Sequence, residues 1–189
     1  MANITDGDVR GFQLGVFNVS RSATGSLGLV NIFLDGYVQP EVTVSDDGLL
    51  MVGIRHGSRA FFNTYGLGQR VFGPESSPGA LSELAATLGL GWRLELAEAL
   101  DVSVELTATS VMVEPDGWLW SSDFTLYKLK PQLSYEVVPN LTVFGGPTLT
   151  LFSPSSGEVD ATTYAPWEPW RVGDSLVLWP GLSAGLRFF

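Results

Sequence analysis

Two consecutive segments between residues 84 and 113 alternate apolar and polar side chains almost without error. In the first, Leu84, Ala86, Leu88, Leu90, Trp92, Leu94 and Leu96 are separated by Ala85, Thr87, Gly89, Gly91, Arg93 and Glu95. After residues 97–101 the alternation resumes, with Val102, Val104, Leu106, Ala108, Ser110 and Met112 against Ser103, Glu105, Thr107, Thr109 and Val111. A repeat of two places alternate residues on opposite faces of a strand, so the stretch predicts a β-hairpin. An amphipathic helix would carry Gly89 and Gly91 in its interior, each about 1 kcal/mol worse than alanine there, and Leu90 and Leu94 would break its apolar stripe.

The same reading applied along the chain predicts strands over 11–20 and 27–34, then, across the Asp35-Gly36 turn signal, over 37–44. Ser45-Asp46-Asp47-Gly48 is a further turn, followed by strands over 49–56 and 60–72. Tyr127, Leu129, Pro131, Leu133, Tyr135 and Val137 oppose Lys128, Lys130, Gln132, Ser134 and Glu136; Leu141, Val143, Gly145, Pro147, Leu149 and Leu151 follow in the next strand. The last strand runs Leu176 to Phe188, with Val177, Trp179, Gly181, Ser183, Gly185 and Arg187 on its second face. This gives about ten strands, or eight if two N-terminal segments are excluded. Connections at 73–80, 114–123 and 153–175 are long, and those at 57–59, 97–101 and 138–140 are short. That alternation is the pattern of an all-β, up-and-down antiparallel barrel, here a single domain over 1–189 with a tail at 1–8 and its longest external loop at 153–175.

The polar faces carry the charges and the opposite faces are long and aliphatic. A soluble calyx holding an apolar ligand would turn Leu88, Leu90, Leu129 and Leu133 inward. A transmembrane barrel turns them out, because lipid solvates its wall and charge sits in the lumen. Composition favours the second arrangement: only 16% of residues are charged, against a typical value of about 25%. No apolar run is long enough for a spanning helix, so insertion would use strands. The net charge of −10 argues against nucleic acid and anionic lipid surfaces as partners. Cysteine is absent, which removes disulfides, thiolate catalysis and Cys-based metal sites. Residues 1–8 lack the basic and apolar regions of a signal peptide, so export implies that Met1 stands where one was removed.

Gly185-Leu186-Arg187-Phe188-Phe189 resembles the closing strand of bacterial outer-membrane β-barrel proteins, whose terminal aromatic is read by the assembly machinery. The resemblance implies an outer-membrane location, embedding in outer-membrane lipid, and Phe188 and Phe189 as the assembly signal. Gly11-Phe-Gln-Leu-Gly-Val-Phe-Asn-Val-Ser20 and Gly28-Leu-Val-Asn-Ile32 resemble spirochaetal surface-repeat proteins.

Glu41, Arg55, Arg70, Arg93, Glu95, Glu105, Lys128, Lys130, Glu136 and Arg187 mix both signs on the expected inward face. Buried charges demand partners, and side chains fill narrow barrels, so these residues predict a structural ion-pair network; a narrow solute path is the alternative. Trp92, Tyr127, Tyr135, Trp179 and Phe188 are expected at the membrane interfaces. Trp118, Trp120, Trp167 and Trp170 fall in external loops, where exposed aromatics mark a partner surface or pack on one another. His56-Gly57-Ser58 resembles the His-x-Ser pair of outer-membrane lipid A deacylases, although it lies at a short turn where a rim histidine is the simpler reading. The expected protein is a monomeric, non-enzymatic outer-membrane scaffold with no cofactor or metal, whose loops adhere to or bind an extracellular partner.

Overall fold

The structure, a computed structural model, describes residues 1–28, 30–58, 60–72, 83–112, 122–155, 160–172 and 176–188. It begins with five short strands that stay outside the barrel: β1 (Ala2–Ile4), β2 (Asp8–Leu14), β3 (Phe17–Ser20), β4 (Ser22–Leu27) and β5 (Val30–Phe33). Their pairing is parallel. Ala2 lies beside Phe17 and Phe17 beside Val30, while Asp8 lies beside Ser22, so the chain coils into a small solenoid. Residues 2–4, expected in a tail, are its first rung. The segments 11–20 and 27–34, expected in the barrel, are its coils. Alternation reports which side chains share a face but not which strand lies alongside, and pieces of four residues such as β3 and β5 are too short to cross a barrel wall.

The barrel therefore has eight strands, the lower of the two expected counts. They are β6 (Tyr37–Ser45), β7 (Leu49–Gly57), β8 (Phe61–Arg70), β9 (Leu84–Ala97), β10 (Leu100–Met112), β11 (Phe124–Val138), β12 (Leu141–Pro154) and, after an excursion, β14 (Leu176–Phe188). Each is antiparallel to its neighbours, and β14 returns to β6 to close the sheet. The excursion holds one 3-10 turn (Ala161–Thr163) and β13 (Trp170–Val172), which pairs with the start of β14. The hairpin predicted from the cleanest alternation is β9–β10, with Trp92 opposite Val104 and Leu90 opposite Leu106.

Short connections gather at one rim. The strand ends joined by the long ones lie at the other, together with the tight 46–48 turn, where Gly48 adopts φ +89° and an added Cβ would lie 2.0 Å from the Phe72 carbonyl oxygen. The aliphatic faces point outward: Leu133 is 53% exposed, and Leu88, Val104, Leu106 and Leu129 are similarly bare. Leu90 also faces out but is covered by the solenoid, in an apolar cluster with Val9, Ala23, Phe33 and Phe61. A second apolar cluster, including Val111, Phe124, Phe152 and Trp179, fills the lumen beneath the long connections.

Candidate functional site: the filled lumen

Alternation on eight strands sends the polar partner of every exposed leucine inward. From β11 come Lys128, Lys130, Gln132 and Ser134, from β10 Glu105, from β6 Glu41, from β7 Arg55 and from β14 Arg187, all buried. They form a chain of alternating charge. Arg187 Nε lies 3.1 Å from Glu41 Oε2, which lies 3.7 Å from Arg55 Nε; Arg55 Nη2 lies 3.5 Å from Glu105 Oε2, which lies 3.1 Å from Lys130 Nζ. Neutral side chains add hydrogen bonds to it: Gln132 Oε1 accepts from Arg187 (2.8 Å) and Arg55 (3.2 Å), and Ser134 Oγ accepts from Arg187 (2.9 Å).

Two phenylalanines set the height of the arginines. The Arg55 guanidinium lies 3.7 Å from the centroid of Phe62 and that of Arg187 3.8 Å from Phe144, a geometry favourable to cation–π attraction. Each ring rests on a glycine directly across the ladder. Phe62 pairs with Gly91 and Phe144 with Gly185, where an added Cβ would meet the ring at 2.3 and 2.5 Å. Gly91 and Gly185 are thus seats for aromatic rings.

Toward the long-connection rim, Lys128 pairs with Asp47, whose other carboxylate oxygen accepts from Ser45 Oγ at 2.5 Å. Burial works to raise the Asp47 pKa, but the Lys128 ammonium and the hydrogen bonds outweigh it and hold the carboxyl below its ordinary value. Threonines 43, 64, 87, 107 and 109 and Ser183 help to line a cavity of about 30 Å³, room for a water or two. Above them the aromatic layer closes the lumen. Phe124 stacks on Phe152 (5.0 Å between centroids) and meets Tyr164 at 4.5 Å. Arg70 covers Tyr164 at 4.5 Å, donates to the Thr163 carbonyl at 2.6 Å and pairs with Glu83 at 3.5 Å.

Five of the expected lumen residues, Glu41, Arg55, Glu105, Lys130 and Arg187, thus join in one mid-lumen chain, and Lys128 lies nearer the long-connection rim with Asp47. Arg70 lies apart, in the aromatic lid. Arg93 and Glu95 meet at 3.5 Å near the short-turn rim, with Arg93 over Tyr37 at 4.7 Å and the Glu95 side chain largely exposed; Glu136 lies half-exposed at the same rim. Trp179, expected at a membrane interface, is fully buried in the lumen, as its place on the Arg187 face of β14 requires. Trp92, Tyr127, Tyr135 and Phe188 are exposed on the wall, and Trp167 and Trp170 are exposed at the long-connection rim. Trp118, Trp120 and Phe189 lie outside the described residues.

Sequence reasoning missed Asp47 and the two phenylalanine seats. Asp47 falls in the turn signal Ser45-Asp46-Asp47-Gly48, yet it continues the inward parity of Glu41, Thr43 and Ser45. His56 faces outward and staples the solenoid: its Nε2 accepts from the Phe33 amide (3.0 Å), so its Nδ1 donates to the Tyr37 carbonyl (3.0 Å). Ser58 Oγ is likewise occupied, by the Ala23 and Phe61 carbonyls, each at 3.3 Å. Comparison with protein-family models found none that matches the chain, and comparison with curated proteins found no match.

Proposed function

We propose that this protein is an integral outer-membrane barrel whose lumen is a structural filling and whose work is done by the connections at its long rim. The observation that carries the reading is the inversion of the wall. Leu88, Leu129 and Leu133 are bare while Arg55, Glu105 and Arg187 are buried, an arrangement that costs free energy in water and suits a hydrocarbon solvent. Strands β9 to β12, 13 to 15 residues long, exceed the 9–11 or so that a tilted strand needs to span a bilayer. A calyx is disfavoured because its apolar ligand would meet Arg55, Glu105 and Lys130 inside.

A filled lumen supports a scaffold over a pore. The charge chain and the Phe62 and Phe144 rings occupy the middle, and Phe124, Phe152, Trp179 and Tyr164 close one end. The partner surface then lies at the long-connection rim, where Trp167 and Trp170 are exposed. Two measurements test this reading. The purified protein should require detergent or vesicles to stay folded, and a monodisperse, folded protein in plain buffer would overturn membrane embedding. In planar bilayers it should be silent, and stable nanosiemens steps would overturn the filled lumen.

A further inference from the structure

We propose that the N-terminal solenoid is itself lipid-embedded, a wedge fastened to the barrel wall near the short-turn rim; this rests on the membrane reading of the barrel. The first observation is that the solenoid is inverted in the same sense as the barrel. Its interior holds Asn18, Asn31, Gln13, Ser20 and Ser26, all buried. Its outer surface presents Ile4 (77% exposed), Phe17 (51%) and Ile32 (43%), with Leu14, Val16 and Leu34. A water-solvated solenoid puts such side chains inside and its amides outside.

The interior amides are satisfied among themselves, as a hydrocarbon setting demands. Asn3 donates to Asn18 at 2.8 Å, Asn18 to Asn31 at 2.7 Å, and Asn31 to Asn63 of the barrel at 2.8 Å; Ser26 also donates to Asn31. Gly15 and Gly28, each three residues before an asparagine, keep the ladder straight, since a Cβ at either would lie within 3.0 Å of an asparagine side-chain atom.

The second observation is where the solenoid sits. It lies against the outer wall rather than beneath the lumen, and climbs β8 from the rim: Phe33 packs on Phe61 with ring centroids 6.4 Å apart, Asn31 bonds Asn63, and Gly28 lies with Tyr65 and Leu88 around one concavity. Its outer surface is therefore continuous with a wall that the membrane reading gives to lipid.

The third is a vertical polarity. The corners beside the start of β6 carry Asp6, Arg21 and Asp35, with Arg21 3.4 Å from Asp6 and 3.8 Å from Asp35. The opposite corner, between β2 and β3, is Leu14-Gly15-Val16. Charge thus faces the water beyond the rim and the aliphatic corner points toward mid-membrane. The height fits. Strands of three to seven residues rise roughly 10–23 Å, which fits within an apolar band about 25 Å tall. Arg10, exposed on β2 near the charged end, is long enough to reach the interface by snorkelling.

The chain contains no cysteine, so single labels report cleanly. Full-length F17C, I32C, L133C and D35C, each carrying an environment-sensitive fluorophore, are folded into phosphatidylcholine vesicles with and without bromine-labelled acyl chains. Labels at 17 and 32 should lose emission to brominated lipid as the label at 133 does, while that at 35 keeps it. If 133 is quenched and either 17 or 32 is not, the wedge is wrong and the membrane barrel stands. Quenching at 35 as well would overturn the polarity. If 133 itself keeps its emission, the membrane reading fails and the wedge with it.

Discussion

Replacing Glu105 with glutamine gives the sharpest test of the lumen as an ionic core closed to bulk water. The oxygen Oε2 serves two cations, Lys130 at 3.1 Å and Arg55 at 3.5 Å. In an effective dielectric of about 20, each contact carries about 5 kcal/mol of gross Coulomb attraction, most of it offset by the desolvation of the charges. Arg55 retains Glu41 at 3.7 Å, but Lys130 has no other ion pair among those described. Four cations (Arg55, Lys128, Lys130, Arg187) then face two anions (Glu41, Asp47) instead of three. Stranding a buried charge in this way costs about 3–5 kcal/mol. The assay is urea unfolding in vesicles, followed by tryptophan emission and by the difference in gel mobility between folded and unfolded barrel. Adding Lys130→Met removes the stranded ammonium, so the double variant should recover a large part of the loss. A cost for E105Q below about 1 kcal/mol, the value for exposed pairs, would refute the reasoning, because it would mean that water reaches the pair.

Two further outcomes follow from the same structure. Asp47 has a folded-state pKa below its unfolded one, so its stabilisation is present above about pH 4 and is lost as pH falls through the lower, folded value; Asp47→Asn should be less stable at pH 7 and show a flatter acid limb in the same urea assay. Asn31→Leu keeps the branching and the number of heavy atoms but strands its partners Asn18, Ser26 and Asn63, each unsatisfied polar group costing about 1–3 kcal/mol, so hydrogen exchange should accelerate across β1 to β5 while β9 to β12 stay protected.

The barrel wall was legible because period-two alternation and exposure mostly coincide: apart from Leu90 under the solenoid and Met112 at the end of β10, the large residues that read apolar in β9, β10 and β11 are the ones that face outward with much of their surface uncovered. The charge chain was legible for the same reason, since Glu41, Arg55, Glu105, Lys130 and Arg187 all hold the inward parity. What escaped depends on pairing. That Phe62 lies flat on Gly91 and Phe144 on Gly185 is a property of register, and a single strand does not state its register. Asp47 escaped because turn chemistry explains an aspartate before glycine so well that its inward parity went unused. The solenoid escaped because parallel coils and antiparallel strands share one alternation, and a single strand does not show that Asn18 and Asn31 stack on one another.

The two ends of the barrel's chain meet unequally. β14 runs beside β12 from 177 to 188 but beside β6 only from 183 to 187, so the seam that shuts the ring contributes few backbone bonds. Side chains supply the difference. Arg187 reaches Glu41 across the seam, and Asp46 Oδ2 accepts from the Leu182 amide at 2.7 Å while the Asp46 amide donates to the Leu182 carbonyl at 3.1 Å. Both partnerships exist only after the last strand has arrived. Closure of the ring therefore depends, beyond a five-residue ladder, on one charge pair and one carboxylate that join the two ends of the barrel's chain.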